Sequence, residues 1–310
     1  MNRKILVIGS LNVDQSVQVT SLPAPGETIK GHDLKYLNGG KGANQAVACG
    51  RLAGEAGTAA MLGCVGDDDF GKMQLDSLSA SGVDMQYIRR ISGTPTGMAL
   101  ICVDSKGANT IVIIAGANAC VTPELLEESG SRKAIDEADI LLLQMEIPFE
   151  TNLAVVDLAA KSGKTVILNP APAPDFSIPD EFFAKLDFIT PNENELARLT
   201  GMSCGTIEEI AAAADALLQK GVRNVLVTIG ERGALLANQD GIRHIPGIPA
   251  DAIDTTAAGD TFNGAFAVAL SEGKDVEEAI DFANRAAAIS VTRRGAQDSV
   301  PYRTELTELI

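Results

Sequence analysis

Arg3-Lys-Ile-Leu-Val-Ile-Gly-Ser-Leu-Asn-Val-Asp14 is the stretch on which the fold turns. Two bases ahead of an apolar run imitate a secretory leader, but the run stops at Gly9-Ser10, and Asn12 and Asp14 follow. A leader needs an apolar core of roughly 7–15 residues, so a first buried strand is the better reading. Short β-branched runs of this kind, covered on both faces, belong to parallel sheets. Working outward, similar runs recur at residues 59–65, 140–143, 165–168, 188–190 and 225–229. Between them lie helix-like segments at 45–52, 152–160, 207–219 and 261–270, and residues 276–287 read as a C-terminal helix running on towards Arg293. Strands alternating with helices predict an α/β fold: a doubly wound, mostly parallel sheet flanked by helices.

Two segments break the rhythm. Residues 13–37 carry Val13, Val17 and Val19 in partial alternation and then the turn Pro23-Ala-Pro-Gly26. Residues 98–103 and 110–114 flank Asp104-Ser-Lys-Gly107, which reads as a hairpin. Without helices between them these strands predict a separate small sheet, placed beyond the strand ends where ligands bind in such folds. The expected division is an α/β domain of residues 1–12, 38–92 and 115–310, with residues 13–37 and 93–114 as a β-sheet lid or, more plainly, an edge hairpin.

Composition narrows the function. The chain has 310 residues with a net charge of −16, which argues against sequence-blind nucleic-acid binding and against anionic membranes, both of which need clustered Lys and Arg. With no Trp and 4% aromatics, base-stacking platforms are not expected. No apolar stretch is long enough to span a membrane. The five cysteines form no CxxC pair and read as buried thiols in a reducing cytoplasm. Histidine chemistry has only His32 and His244 to draw on.

Five places carry candidate chemistry. Asp254-Thr-Thr-Ala-Ala-Gly-Asp-Thr-Phe-Asn-Gly264 runs into a helix. Small residues there leave the first N–H groups open to an anion, and Asp260 in the first turn can accept a proton from an alcohol. The same residues would also serve an ordinary capped helix. Asn38-Gly-Gly-Lys-Gly-Ala-Asn44 is no P-loop, since Lys41 precedes Gly42 rather than Ser or Thr, yet Gly40, Lys41 and Asn44 suit close approach to hydroxyl groups. Asn12 and Asp14, two apart in extended chain, point to one side, and Glu146 follows another strand's carboxyl end. Amide and carboxylates together suit a polyol, although each residue alone would serve a turn. Thr228-Ile-Gly-Glu-Arg-Gly233 follows a strand and suits a nucleotide phosphate or ribose, or a plain turn into the next strand. Pro191-Asn-Glu-Asn-Glu195 opens a helix and offers Asn192 and Glu195 to hydrated Mg²⁺, or merely places acid at a helix start.

Six motifs in chain order, Asn38–Asn44 with Gln45-Ala-Val-Ala48, Asn169-Pro-Ala-Pro-Ala173, Pro191–Glu195, Thr228–Gly233, Asp254–Gly264 and Gly295-Ala-Gln-Asp-Ser-Val-Pro301, resemble the ribokinase/PfkB carbohydrate kinase family over essentially the whole length. The resemblance implies a β-sheet lid through which two subunits clasp as a homodimer, and phosphoryl transfer from ATP to a sugar, with D-ribose at O5 favoured. It implies Asp260 as catalytic base and the backbone of Ala257, Ala258 and Gly259 as anion hole. It implies Asn12, Asp14, Gly40, Lys41, Asn44 and Glu146 as sugar ligands. For ATP it implies Asn192, Thr228, Gly230, Gly233 and Gly259, with Glu195 near Mg²⁺. It further implies Asp254, Thr256, Ser290, Arg293, Gly295 and Ser299 around a monovalent cation, usually K⁺. Asn284 departs from the pattern, standing where some relatives place a His against adenine. The competing readings are a kinase of 2-deoxyribose or fructose, a nucleoside kinase, a dinucleotide oxidoreductase and a non-catalytic sugar-binding protein. The nucleoside kinase would want an aromatic-lined pocket, the oxidoreductase a GxGxxG after the first strand, and the binding protein would be expected to lack Asp260.

Overall fold

A computed structural model describes residues 3–54 and 58–306. Its strands are β1 (Ile5–Ile8), β2 (Asn12–Val19), β3 (Gly31–Gly39), β4 (Ala59–Gly66), β5 (Asp84–Ile91), β6 (Gly97–Val103), β7 (Asn109–Ile114), β8 (Ile140–Leu143), β9 (Thr165–Leu168), β10 (Phe188–Ile189), β11 (Asn224–Thr228), β12 (Ala234–Asn238) and β13 (Gly241–Ile245). The larger sheet runs β13-β12-β11-β10-β9-β8-β1-β4-β5 and is parallel from β11 to β5, with β12 and β13 added antiparallel at one edge. The α/β expectation therefore holds.

The buried strands are continuous apolar runs because successive side chains enter two different cores. Leu6 and Ile8 of β1 pack with Leu141 and Leu143 on one face. Ile5 and Val7 pack with Ile140, Leu142 and Phe266 on the other. Each such side chain, removed from water, contributes about 1.5–3 kcal/mol. Cys49, Cys64 and Cys204 are buried, Cys102 and Cys120 are half-buried, and all five thiols are free. Burial pushes Cys49 and Cys64 up to about 12, so neither is a nucleophile.

Sequence periodicity under-reads two regions. The helix Asp69–Ala80 and strand β5 lie at the sheet edge, where half-buried Asp84 and exposed Gln86, Arg89 and Arg90 interrupt the apolar pattern. The helices Lys41–Leu52 and Ala258–Ser271 begin before their apolar periodicity, because the glycine- and alanine-rich loops themselves form the first turn.

The second sheet has the order β3-β2-β6-β7 and is reached directly from β1 through Asn12. It contains the expected hairpin, β6 against β7. Asn12 and Asp14 lie two apart on β2, as the extended reading requires. Among the described residues, no helix is long and apolar enough to cross a membrane.

Two features position the site. The chain leaves β1 towards β4 on one side and returns to β8 on the other, which opens a crevice at the carboxyl ends of β1 and β8. The helix Ala258–Ser271 crosses Lys41–Leu52 closely. A Cβ on Gly264 would stand 2.4 Å from the Ala48 Cβ and 2.8 Å from the Gln45 carbonyl, so only glycine permits this approach.

Candidate active site

Residues from distant parts of the chain converge in the crevice. Glu146, just past β8, receives three donors on Oε2: the Ser10 hydroxyl at 2.6 Å, the Lys41 N–H at 3.0 Å and the Asn12 amide at 3.5 Å. Asn12 is itself oriented, since Asn118 donates to its Oδ1 at 2.7 Å while bonding Leu11 through both amide atoms. A cavity of about 290 Å³ lies here, lined by Asn12, Glu146, Asn118 and Pro172 and by Ile113 and Ala115 at the end of the small sheet. Asp14 on β2 adds a second carboxylate nearby. Its carboxyl is pushed up to about 6, first by burial and then by the charges of Glu146 and Asp260, with Lys41 pulling it back.

A second cavity of about 180 Å³ is lined by Lys41, Asn192, Glu195, Thr228, Ala257, Gly259 and Asp260, with Asn169, Thr190 and Asn263. The two cavities have separate linings and are linked where the Lys41 N–H of the second donates to Glu146 of the first at 3.0 Å. Asp260 is buried, with Oδ2 accepting from Asn44 at 2.9 Å and Oδ1 from Gln45 at 3.0 Å. Asn44 Oδ1 is buried without a hydrogen-bond partner among the described residues, an acceptor ready for a hydroxyl. Burial works against the Lys41 ammonium, but Asp260, Glu146, Glu195 and Asp14 outweigh it and raise its pKa above the ordinary value. Burial likewise raises the carboxyl of Glu195.

The turn before the helix Ala258–Ser271 is unusual. Ala257 adopts a left-handed conformation, φ 58°, that a non-glycine residue seldom takes. The Ala258 N–H is occupied by the Thr255 carbonyl at 3.2 Å, which leaves Gly259 as the forward donor of the turn. A Cβ on Gly259 would meet no atom within 4 Å, and its φ is not positive. Neither packing nor backbone conformation requires glycine there, and its missing Cβ leaves open space in the second cavity.

The expected nucleotide residues divide into two groups. Asn192 and Glu195 form a reciprocal helix cap, Asn192 accepting from the Glu195 N–H at 2.8 Å and Glu195 from the Asn192 N–H at 2.9 Å. Both still line the second cavity, and Thr228 pairs with Asn192 as a lone bridge. Gly230 begins a single helical turn ending at Arg232. Gly233 and Asn284 meet instead around Ile245-Pro246-Gly247. The Cβ position of Gly233 is filled by the Gly247 nitrogen and Ile245 carbonyl, and Asn284 donates to the Pro246 carbonyl at 3.1 Å.

The expected cation residues also gather. Asp254 accepts from Thr256 at 2.9 Å and from the Gly295 N–H at 3.0 Å. Burial opposes its charge, but these bonds outweigh it and hold the carboxyl below the ordinary range. The Ser290 carbonyl accepts from the Arg293 N–H at 3.1 Å, the Ser299 hydroxyl donates to the Ala296 carbonyl at 2.8 Å, and Arg293 pairs with Glu305. Segments 253–256 and 290–299 are thus bound together.

Ser10, Gln45, Asn118, Gln144, Asn169, Thr190 and Asn263 are missing from the sequence-derived set although they hold the site together. Gln45, Asn169 and Asn263 fall inside the quoted motifs without a role there. The others are single polar residues within apolar surroundings, a pattern that signals a buried polar contact but not its partner.

The pattern of the pfkB family of carbohydrate kinases matches residues 2–303. A ribokinase of Haemophilus influenzae is 40% identical, the match covering 100% of this chain and 99% of that protein. A deoxyribokinase of Salmonella typhi is 38% identical, covering 99% of this chain and 98% of that protein. The structure of Arabidopsis thaliana ribokinase complexed with ribose and ATP superposes with a TM-score of 0.92 at 39% identity, covering 100% of this chain and 99% of that one. With the match running almost from end to end, the chain belongs to the pfkB family of carbohydrate kinases.

Proposed function

We propose that the chain transfers the γ-phosphoryl group of ATP to O5 of D-ribose, giving ribose 5-phosphate, with Asp260 as general base. The observation that carries this reading is the placement of Asp260: a buried carboxylate, fixed at both oxygens by side-chain amides, lining one cavity together with Lys41, whose N–H bonds Glu146 in the other. One cavity offers a polyol the Glu146 carboxylate with the amides of Asn12 and Asn118; Asp14 lies two residues along the strand from Asn12, and the Asn44 amide stands against Asp260. The other offers a polyphosphate the Gly259 N–H of the turn and the Lys41 ammonium. The likeness to proteins named for ribose, and to one seen with ribose and ATP, supports the substrate pair.

The chemistry follows from these parts. The sugar hydroxyl donates to Asp260, which takes its proton as the oxygen attacks, while the Gly259 N–H meets charge developing on the transferred group. Ile113 and Ala115 bring the small sheet over the sugar cavity, so that sheet acts as a lid excluding water from the reaction.

Four carboxylates face one ammonium here, so a polyphosphate enters only with cationic charge of its own. Among the described residues no cluster of His, Cys, Asp and Glu forms a metal cage, which suits a Mg²⁺ carried mainly by phosphate and water. Glu195 would hold it through water, and charge neutralisation at the phosphates is the chemistry it supplies when bound. The ionised Asp254 and the carbonyl-rich segment 290–299 fit a monovalent cation, K⁺, beside the anion hole.

A homodimer through the lids accounts for the small sheet's outer surface. Every residue of edge strand β7 is exposed, including Ile111, Val112, Ile113 and Ile114, and Leu34, Tyr36 and Leu100 extend the apolar patch. Uncovered edges of this kind invite association.

A coupled ADP-release assay against ribose, 2-deoxyribose, fructose and adenosine tests the reading. Ribose should give the highest kcat/KM. Release no faster than with ATP alone, for every acceptor, would overturn it. A preference for 2-deoxyribose would favour the second reading, which rests on the Salmonella relative.

A further inference from the structure

The Asp260 carboxylate belongs to a closed circuit of buried hydrogen bonds. Gln45 Nε2 donates to Asp260 Oδ1 and to Asn169 Oδ1, each at 3.0 Å. Asn169 donates to the Thr190 carbonyl at 3.0 Å, the Thr190 hydroxyl to Asn263 Oδ1 at 2.6 Å, and Asn263 to the Gly259 carbonyl at 2.8 Å. The circuit closes on the residue beside Asp260. Gln45, Asn169, Thr190 and Asn263 are all buried, Gln45 completely so.

The direction of the circuit is set chemically. A carboxylate only accepts, so the amino group of Gln45 must face Asp260. Gln144 secures that orientation by donating to Gln45 Oε1 at 2.6 Å. Among the described residues, Gln45 is therefore the one side chain that ties Asp260 to the chain of groups ending at the Gly259 carbonyl. It sets the aim of the carboxylate relative to the turn that faces the phosphoryl group.

We propose that Gln45 is a positioning residue for phosphoryl transfer: held by Gln144, it registers the base Asp260 against the Gly259 turn through Asn169, Thr190 and Asn263. Gln45 lies beneath Asp260 and lines neither cavity, so its effect falls on turnover rather than on substrate affinity. This rests on the reading of Asp260 as base. Misaiming a reacting group by an ångström costs up to about 10²-fold in rate, so Gln45→Met should lower kcat by roughly 10- to 100-fold. KM for ribose and ATP should stay within about threefold, as expected when transition-state alignment alone is lost.

The test is a double-mutant cycle of Gln45→Met and Asp260→Asn, followed by ADP release at saturating ribose. With the base gone there is nothing left to aim, so adding Gln45→Met to Asp260→Asn should change the residual rate by less than about twofold. If Gln45→Met does not fold, Gln144→Met frees the Gln45 amide without touching Asp260 and should show a smaller loss with the same split between kcat and KM. Turnover near wild type in the folded variant, a rise in KM with kcat kept, or losses that add in full would each overturn the proposal. Near-normal turnover by Asp260→Asn alone would instead overturn the assignment of the base, which keeps the two failures apart.

Discussion

Asn44 and Asp260, 216 residues apart in the chain, are joined by a 2.9 Å hydrogen bond across the crossing of two helices. The bond depends on how closely those helices approach, and that distance is set at Gly264, one turn beyond Asp260, against Ala48.

Gly264→Ala tests this dependence. Its methyl would enter the Ala48 Cβ and the Gln45 carbonyl, and overpacking a tight contact costs about 1–3 kcal/mol. Thermal melting should therefore show a lowered midpoint, with turnover reduced because the helix carrying Asp260 is pushed from Asn44. An unchanged midpoint would mean that the crossing tolerates the methyl.

Gly259→Ala separates folding from ligand binding in the opposite direction. The methyl meets no protein atom, and replacing glycine in a helix adds about 0.5–1 kcal/mol of stability. The variant should melt at or above the wild-type temperature yet lose turnover, since the methyl enters the cavity beside Asp260. Full activity in a stable Gly259→Ala chain would show that no ligand comes close to this turn.

Asp14 predicts a pH dependence. Its folded carboxyl titrates near 6, above the 3.8 of an unperturbed Asp, so the folded chain binds that proton more tightly than the unfolded one. Its favourable contribution is present at low pH and is lost as pH rises through about 6. Asp14→Asn should therefore stabilise the unliganded chain more at pH 8 than at pH 4, as thermal melts at both pH values would show; a gain independent of pH would contradict this. In the wild type, KM for ribose should rise as pH falls below about 6, because a protonated Asp14 no longer accepts two hydroxyls.

The cation segment gives another outcome. Replacing K⁺ with Na⁺ or choline should slow ADP release several-fold, and Asp254→Ala should abolish the difference between the cations. Asp254 holds both Thr256 and Gly295, so its loss loosens the segments that would surround the ion. Equal rates in all three salts would count against this site.

The parallel sheet was legible because Ile5–Ile8, Ile140–Leu143 and Thr165–Leu168 are buried on both faces and so carry an uninterrupted apolar run. Strand β5 was not, because an edge strand admits Arg89 and Arg90. Asp260, Asn12 and Glu146 were legible as polar residues at strand or helix ends, and the fold gathers them at the crevice. Gln45, Gln144 and Asn263 were not, because a buried amide declares itself only when its distant partner is known, and sequence spacing carries no trace of that pairing. Gly233 shows the reverse case: its sequence suits a phosphate loop, while in the fold its missing Cβ makes room for the backbone at Gly247.

The central claim is that Asp260 removes the proton from the sugar hydroxyl. Its most direct test is Asp260→Asn, which keeps the side chain's shape, with ADP release and ribose binding measured on the same preparation. The account predicts a kcat lowered by roughly 10²–10⁴-fold, the usual worth of general base catalysis, with ribose affinity largely retained. Turnover close to wild type in that variant would contradict it.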